Sequence, residues 1–151
     1  MNEKFLTSLQ NPLVKQVIHL RDRHEREKTK QFLIEGYREL LRAADSGWRM
    51  DTLFICPELF LGSNELALIQ KIAANGTQVI SVSDKVFHKV SYRDRPDGLL
   101  AIAPQRFLSL ENLEGSNCLK KPPFYVVAEA IEKPGNLGTI LRSSDAVGVS
   151  G

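Results

Sequence analysis

The chain has 151 residues, of which 42% are hydrophobic and 25% charged, with a formal net charge of +2. That balance is ordinary for a globular protein with one domain and some length to spare, and it excludes wholesale disorder and collagen-like or low-complexity classes. A charge so near neutrality does not by itself announce a polyanion as partner.

In chain order, Asn11-Pro12 is a capping residue followed by proline at the first helical position, and Leu13, Val17 and Leu20 continue an apolar stripe at helical spacing. RDRHEREKTK, residues 21–30, has no large apolar residue and must be solvated or face a polyanion. QFLIEG then reads as a strand, and YRELLRAADSG as a helix ending at Gly47. MDTLFICP is a buried strand closed by Pro57, and NELALIQKIAANG a helix with Asn64 as its expected cap and Gly76 just past its end. TQVISVS is a β-branched strand, DKVFHKV a short helix capped by Asp84, and GLLAIAP a last strand. Strands and helices alternating in this way predict a three-layer α/β sandwich over residues 1–103. Residues 104–123 lose the period and end in Lys-Lys-Pro-Pro, the signature of a linker. Beyond it, FYVVAEA predicts a strand, EKPGNLG a tight turn, and TILRSSDAVG a helix ending at Gly148, so residues 124–151 open a second α/β domain. One strand and one helix bury too little surface to stand alone, so this segment is expected to dock, to swap with a neighbour or to be poorly ordered.

No apolar run approaches the roughly 18 residues of a membrane span, and MNEKFLTSLQ has no apolar signal core, so a cytoplasmic protein is expected. Cys56 and Cys118 suit a reduced pair, and His19, His24 and His88 share no ligand spacing, so no metal site is expected.

Chemistry concentrates at Lys133-Pro134-Gly135-Asn136-Leu137-Gly138. A glycine-bearing turn at the carboxyl end of a strand lets backbone approach a ligand, and free amides at the helix start favour an anion. Asn136 can cap the helix or bond a ribose, and Arg142 can reach back over the same face. A plain strand–helix turn with a surface arginine would look the same, and the spacing is neither that of a Walker loop nor of a dinucleotide fingerprint. A nucleotide-phosphate enzyme using this turn therefore stays open.

From Asn136 through Thr139-Ile140-Leu141-Arg142 to Gly148, the sequence closely resembles the first motif of the SpoU branch of the SPOUT RNA methyltransferases. Ser8, Asn11-Pro12-Leu13-Val14-Lys15 and Phe32-Leu33-Ile34-Glu35-Gly36 resemble the substrate-binding domain found ahead of the catalytic domain in that family, and Pro96-Asp97-Gly98-Leu99-Leu100-Ala101-Ile102 resembles its last strand. The resemblance implies a ribosomal-protein-like RNA-binding fold joined to the first strand–helix unit of a knotted domain. It implies S-adenosylmethionine as cofactor, transfer to a ribose 2′-hydroxyl of RNA (ribosomal rather than transfer RNA), and a homodimer. Lys133 stands where the family commonly has an acidic residue. Asn136 and Arg142 are the implied catalytic pair. A guanidinium is effectively always protonated, so Arg142 suits a phosphate clamp and a stabiliser of alkoxide charge better than a base. The family's later cofactor motifs are not among these 151 residues. The expectation is a chain cut short one helix into its catalytic domain, inactive by itself and with unknown cofactor contacts. The alternative is a non-catalytic RNA-binding module.

Without the resemblance, the basic residues read as a solvated face with pairs such as Asp22–Arg26. With it, RNA contact is expected from Lys15, Arg21, Arg23, Arg26, Arg38, Arg93 and Arg95, with Tyr92 available to stack on a base.

Overall fold

The computed structural model describes residues 5–109 and 122–151. The chain divides into two units, Met1–Gln105 and Arg106–Gly151. Most of the expected linker, and Cys118 with it, lies outside the described residues.

The first unit is a five-stranded mixed sheet with helices on both faces. Its strands are β1 (Phe5–Leu6), β2 (Gln31–Glu35), β3 (Thr52–Ile55), β4 (Gln78–Val82) and β5 (Leu99–Pro104). They lie in the order β1-β4-β3-β5-β2, with β1, β4 and β3 parallel and β5 antiparallel to both β3 and β2. Its helices are α1 (Pro12–His19), α2 (Arg23–Thr29), α3 (Tyr37–Asp45), α4 (Glu65–Ala73) and α5 (Asp84–Val90), with a 3-10 turn at Pro57–Leu59.

The period-2 alternation of the strands builds two cores. Phe54, Ile80, Val82, Leu100 and Ile102 face one side, where α1 contributes Val14 and Val17 and α5 contributes Val86, Phe87 and Val90. Leu53, Leu99, Ala101 and Ala103 face the other, against Leu40 and Ala44 of α3 and Leu68, Ile69 and Ile72 of α4. β5 is buried on both faces, which is why GLLAIAP reads as one apolar run. The expected three layers are present.

Several local expectations change. β1 has two residues, too short to leave a pattern, and it pairs with the edge of β4 through Phe5↔Ser81 and Leu6↔Val82. The charged run holds a helix of its own: the chain breaks at Leu20 and restarts as α2, capped by the Asp22 side chain accepting from the His24 N–H at 2.7 Å. Among the described residues no Asp22–Arg26 ion pair forms, because that carboxylate caps the helix. Asn11 does cap α1, accepting from the Leu13 N–H at 2.9 Å. Asn64 makes no capping bond to α4; Glu65 turns back instead and accepts from the N–H groups of Leu61 and Gly62. The residue before α5 that caps it is Ser83, which accepts from the Val86 N–H, rather than Asp84.

In the second unit, α6 spans Pro134–Ala146. Proline occupies the first helical turn and Gly148, at φ +70°, follows the end. Helix therefore starts where a tight turn was expected, since proline's fixed φ already suits it. The expected strand at residues 124–130 is not assigned as one: its ladder bonds are Val126 N–H to Gly151 O at 2.9 Å and Ser150 N–H to Phe124 O at 2.7 Å. A strand needs neighbours along its length, and these two bonds supply little of one. No described residue from 122 onward is buried, with Pro134 set aside. Among the described residues, no helix is long and apolar enough to cross a membrane.

Candidate functional site

At the carboxyl ends of β2 and β3, the segments that carried the sequence resemblance lock together. Glu35 closes β2, and its carboxylate accepts from the Ser91 hydroxyl and from the Tyr92 N–H at 2.8 Å. Gly36 follows at φ +105°, with its N–H on Leu99 O at 3.0 Å, and a Cβ here would lie 2.5 Å from the Arg93 guanidinium. Glycine cannot cap α3 with a side chain, so Asp97 does so from 60 residues away, accepting from the Tyr37 N–H at 2.8 Å. Gly98 is at φ +78°, and a Cβ there would strike the Cys56 carbonyl. Glu35-Gly36 and Asp97-Gly98 are thus one structural joint, which only glycine at these two positions permits.

Arg93 is the pin of that joint. Its Nη2 donates to Glu35 O at 3.0 Å and pairs with Glu39 at 2.9 Å, and its Nη1 faces Asp97 at 3.5 Å. Arg93 and Arg38 line a cleft between the first turns of α3 and α4, with a volume of about 490 Å³. Arg95 is exposed in the same loop.

Two other expected RNA ligands are also engaged within the fold. Arg21 donates through Nη2 to Lys89 O at 2.8 Å and Ser91 O at 2.6 Å, closing the C-terminal end of α5, and its guanidinium lies 4.8 Å from the centre of the Tyr92 ring. Arg26 donates through Nη1 to Leu20 O at 3.1 Å and Arg21 O at 2.6 Å, closing the end of α1. Arg23 pairs with Glu27 at 2.7 Å; the contact raises the guanidinium and lowers the carboxyl from their usual ranges, chiefly through the shared hydrogen bond. Both groups are fully exposed, so the pair adds little to stability. Lys15, Arg38, Arg42 and Arg95 have no hydrogen-bond or ion-pair partner for their charged groups among the described residues. Lys15 lines a groove between α1 and α2 with Gln16, His19 and Thr29, apart from the cleft that holds Arg38. The seven basic residues therefore do not gather into one patch. Arg42, four residues after Arg38 and also exposed, belongs with the free cations although it was not among the seven.

Cys56 is buried, and burial pushes its thiol up, with Glu58 and Asp84 adding to the shift, so it is no nucleophile. Among the described residues no group of three or more His, Cys, Asp or Glu is placed to hold a metal.

In α6, the N–H groups of Asn136 and Leu137 both turn to Lys133 O, at 2.9 and 3.4 Å. Those amides are not free for a phosphate, which removes most of the basis for the nucleotide-binding rival. Asn136 and Arg142 are six residues apart, about 120° around a helix, so they do not share a face. Arg142 nevertheless folds back as expected: its Nη2 donates to Thr139 Oγ1 at 3.2 Å, and its Nη1 lies 3.3 Å from where a Cβ on Gly138 would stand.

Residues 11–101 match the family of MRM3-like substrate binding domains. An uncharacterized tRNA/rRNA methyltransferase of Synechocystis is 31% identical over 97% of this chain and 50% of its own length. The 23S rRNA (guanosine(2553)-2'-O)-methyltransferase RlmP of Bacillus subtilis is 27% identical over 97% of this chain and 52% of its own. The crystal structure of an AdoMet-bound rRNA methyltransferase from Sinorhizobium meliloti superposes with a TM-score of 0.78 at 33% identity, covering 98% of this chain and 52% of that one. The chain spans about half the length of the relatives it matches.

Proposed function

The chain belongs to the SpoU family of RNA methyltransferases, its residues 11–101 being an MRM3-like substrate binding domain, and on that premise we propose that it serves S-adenosylmethionine-dependent methylation of a ribose 2′-hydroxyl in ribosomal RNA. The observation that carries the reading is the substrate-domain match, with likeness to named methyltransferases running on across 97% of the chain. Residues 1–103 recognise RNA, 104–123 link, and 124–151 begin the methyltransferase domain of a protein that works as a homodimer. Ribosomal RNA is preferred to transfer RNA because RlmP is named for 23S rRNA.

The cofactor would supply the methyl group. The described residues from 122 onward do not by themselves enclose a site for it, since none whose exposure is described is buried. No step is therefore derived through it, and the 151 residues taken alone are proposed to bind RNA without transferring methyl. Arg142, exposed and steered by Thr139, serves as a phosphate clamp beside the reacting ribose, and Asn136 as a group that holds the loop or the ribose.

RNA phosphates are met by cations the fold leaves free: Lys15, Arg38, Arg42 and Arg95. Arg21, Arg26 and Arg93 position the surface instead, because their guanidinium groups are held by carbonyls and carboxylates. The test is titration of a 23S rRNA fragment at several salt concentrations. Replacing Lys15, Arg38 and Arg95 by Glu is expected to flatten the logarithmic salt dependence by roughly one unit per lost contact. An unchanged slope would remove these residues from the interface. Calorimetry of the same polypeptide with S-adenosylmethionine is expected to show no saturable heat, and micromolar binding would refute that part.

A further inference from the structure

Among the described residues of the first unit, two aromatic side chains are exposed, Phe5 at 59% and Tyr92 at 56%. A single exposed ring needs no explanation by itself, and Phe5 sits on the two-residue strand β1. Tyr92 differs because the backbone beneath it and one face of its ring are both held. Its N–H donates to Glu35 Oε2 at 2.8 Å. Ser91 before it is buried, and the Ser91 hydroxyl donates to Glu35 and accepts from the Arg93 N–H at 2.9 Å. Against one face of the ring stands the Arg21 guanidinium, 4.8 Å from the ring centre and itself anchored on Lys89 O and Ser91 O. A ring held in this way loses little freedom when something lands on it.

The open side of the ring narrows the partner. Tyr92 belongs to neither core cluster, and among the described residues no second ring packs on it. With Arg21 over one face, the exposure that remains belongs to the opposite face and the rim. A guanidinium draws the π density of the ring toward itself, which favours a flat, electron-rich group on the other face and disfavours a second cation. Exposed neighbours along the chain, Lys89, Asp94 and Arg95, are charged, whereas an aromatic anchor of a protein interface sits among apolar groups. Arg95 lies three residues on, at most about 10 Å along the chain. One RNA strand can therefore lay a base on the ring and a neighbouring phosphate on the free Arg95 guanidinium. A duplex cannot, because its bases already stack on one another.

We propose that the open face of Tyr92 is a stacking platform for one unpaired base of the bound RNA, an inference that rests on the RNA-binding reading above. Fluorescence anisotropy with the 151-residue protein would compare a stem-loop RNA with an adenosine loop and the same stem with a loop of abasic nucleotides. Tyr92→Ala is expected to weaken binding of the adenosine loop about tenfold, the scale of one lost base stack. The salt dependence is expected to stay the same, because no ionic contact is lost. Tyr92→Phe keeps the ring and is expected to bind like the unaltered chain, and both variants keep the backbone N–H that Glu35 accepts from. On the abasic loop the unaltered chain is expected to lose about the same tenfold, and Tyr92→Ala to lose nothing further. Equal affinity of Tyr92→Ala and the unaltered chain for the adenosine loop overturns the platform and leaves RNA binding standing. A loss that Tyr92→Phe shares, or that Tyr92→Ala shows equally on the abasic loop, overturns stacking as its cause. Failure of the unaltered chain to bind either stem-loop, or the 23S rRNA fragment, overturns the parent reading.

Discussion

Gly36, Gly47, Gly76, Gly98 and Gly148 all adopt positive φ, yet they are not equivalent. Three of them follow helices in open space, where a side chain would meet nothing. Gly98 combines φ +78° with a carbonyl and the Phe60 ring against its Cβ position. Gly47→Ala is expected to cost about 1–2 kcal/mol, the left-handed strain alone, and Gly98→Ala about 1–3 kcal/mol more through overpacking. Urea denaturation of the two variants checks the order, and equal losses would show that the contact at Gly98 is relieved. The sequence reads Gly47 as a helix end and Gly98 as the start of the last strand. It does not show the crowding at Gly98, because the Cys56 carbonyl comes from a distant strand end. Arg21, Arg26 and Arg93 were legible as charge and not as caps for the same reason: the groups they hold are set by the fold, up to 70 residues away.

Helices show which part of local pattern survives folding. α1 and α3 begin at or next to the residues expected from Asn11-Pro12 and Gly36, because proline and glycine act on their own backbone, whereas α6 begins at Pro134, ahead of the expected start at Thr139. Caps chosen by side chain were less legible: Ser83, Glu65 and Asp97 compete with Asp84, Asn64 and Gly36, and packing decides between them. α2 was hidden inside a charged run because it buries nothing. It depends on its caps rather than on a core. Asp22→Ala is expected to cost about 1 kcal/mol and to speed hydrogen exchange at the His24 amide while leaving the sheet amides protected. Unchanged exchange at α2 would show that the cap is dispensable.

For the whole molecule, both core clusters are drawn from residues between Leu6 and Ala103. A polypeptide of residues 1–105 is therefore expected to unfold in one cooperative thermal transition and to keep the RNA affinity of the full chain. Loss of the transition would show that the first unit is not self-sufficient. The sequence by itself determined the alternation of strands and helices, the two-sided burial of β5 and the family, because periodicity and short motifs are local properties. It showed that Lys15, Arg21, Arg23, Arg26, Arg38, Arg93 and Arg95 are basic, and could go no further. Only the tertiary structure decided which of them still have charge to offer RNA, and that Arg21 lies against one face of Tyr92. Hydrogen-bond partners are chosen in space, and the sheet order β1-β4-β3-β5-β2 brings together groups that the chain keeps far apart.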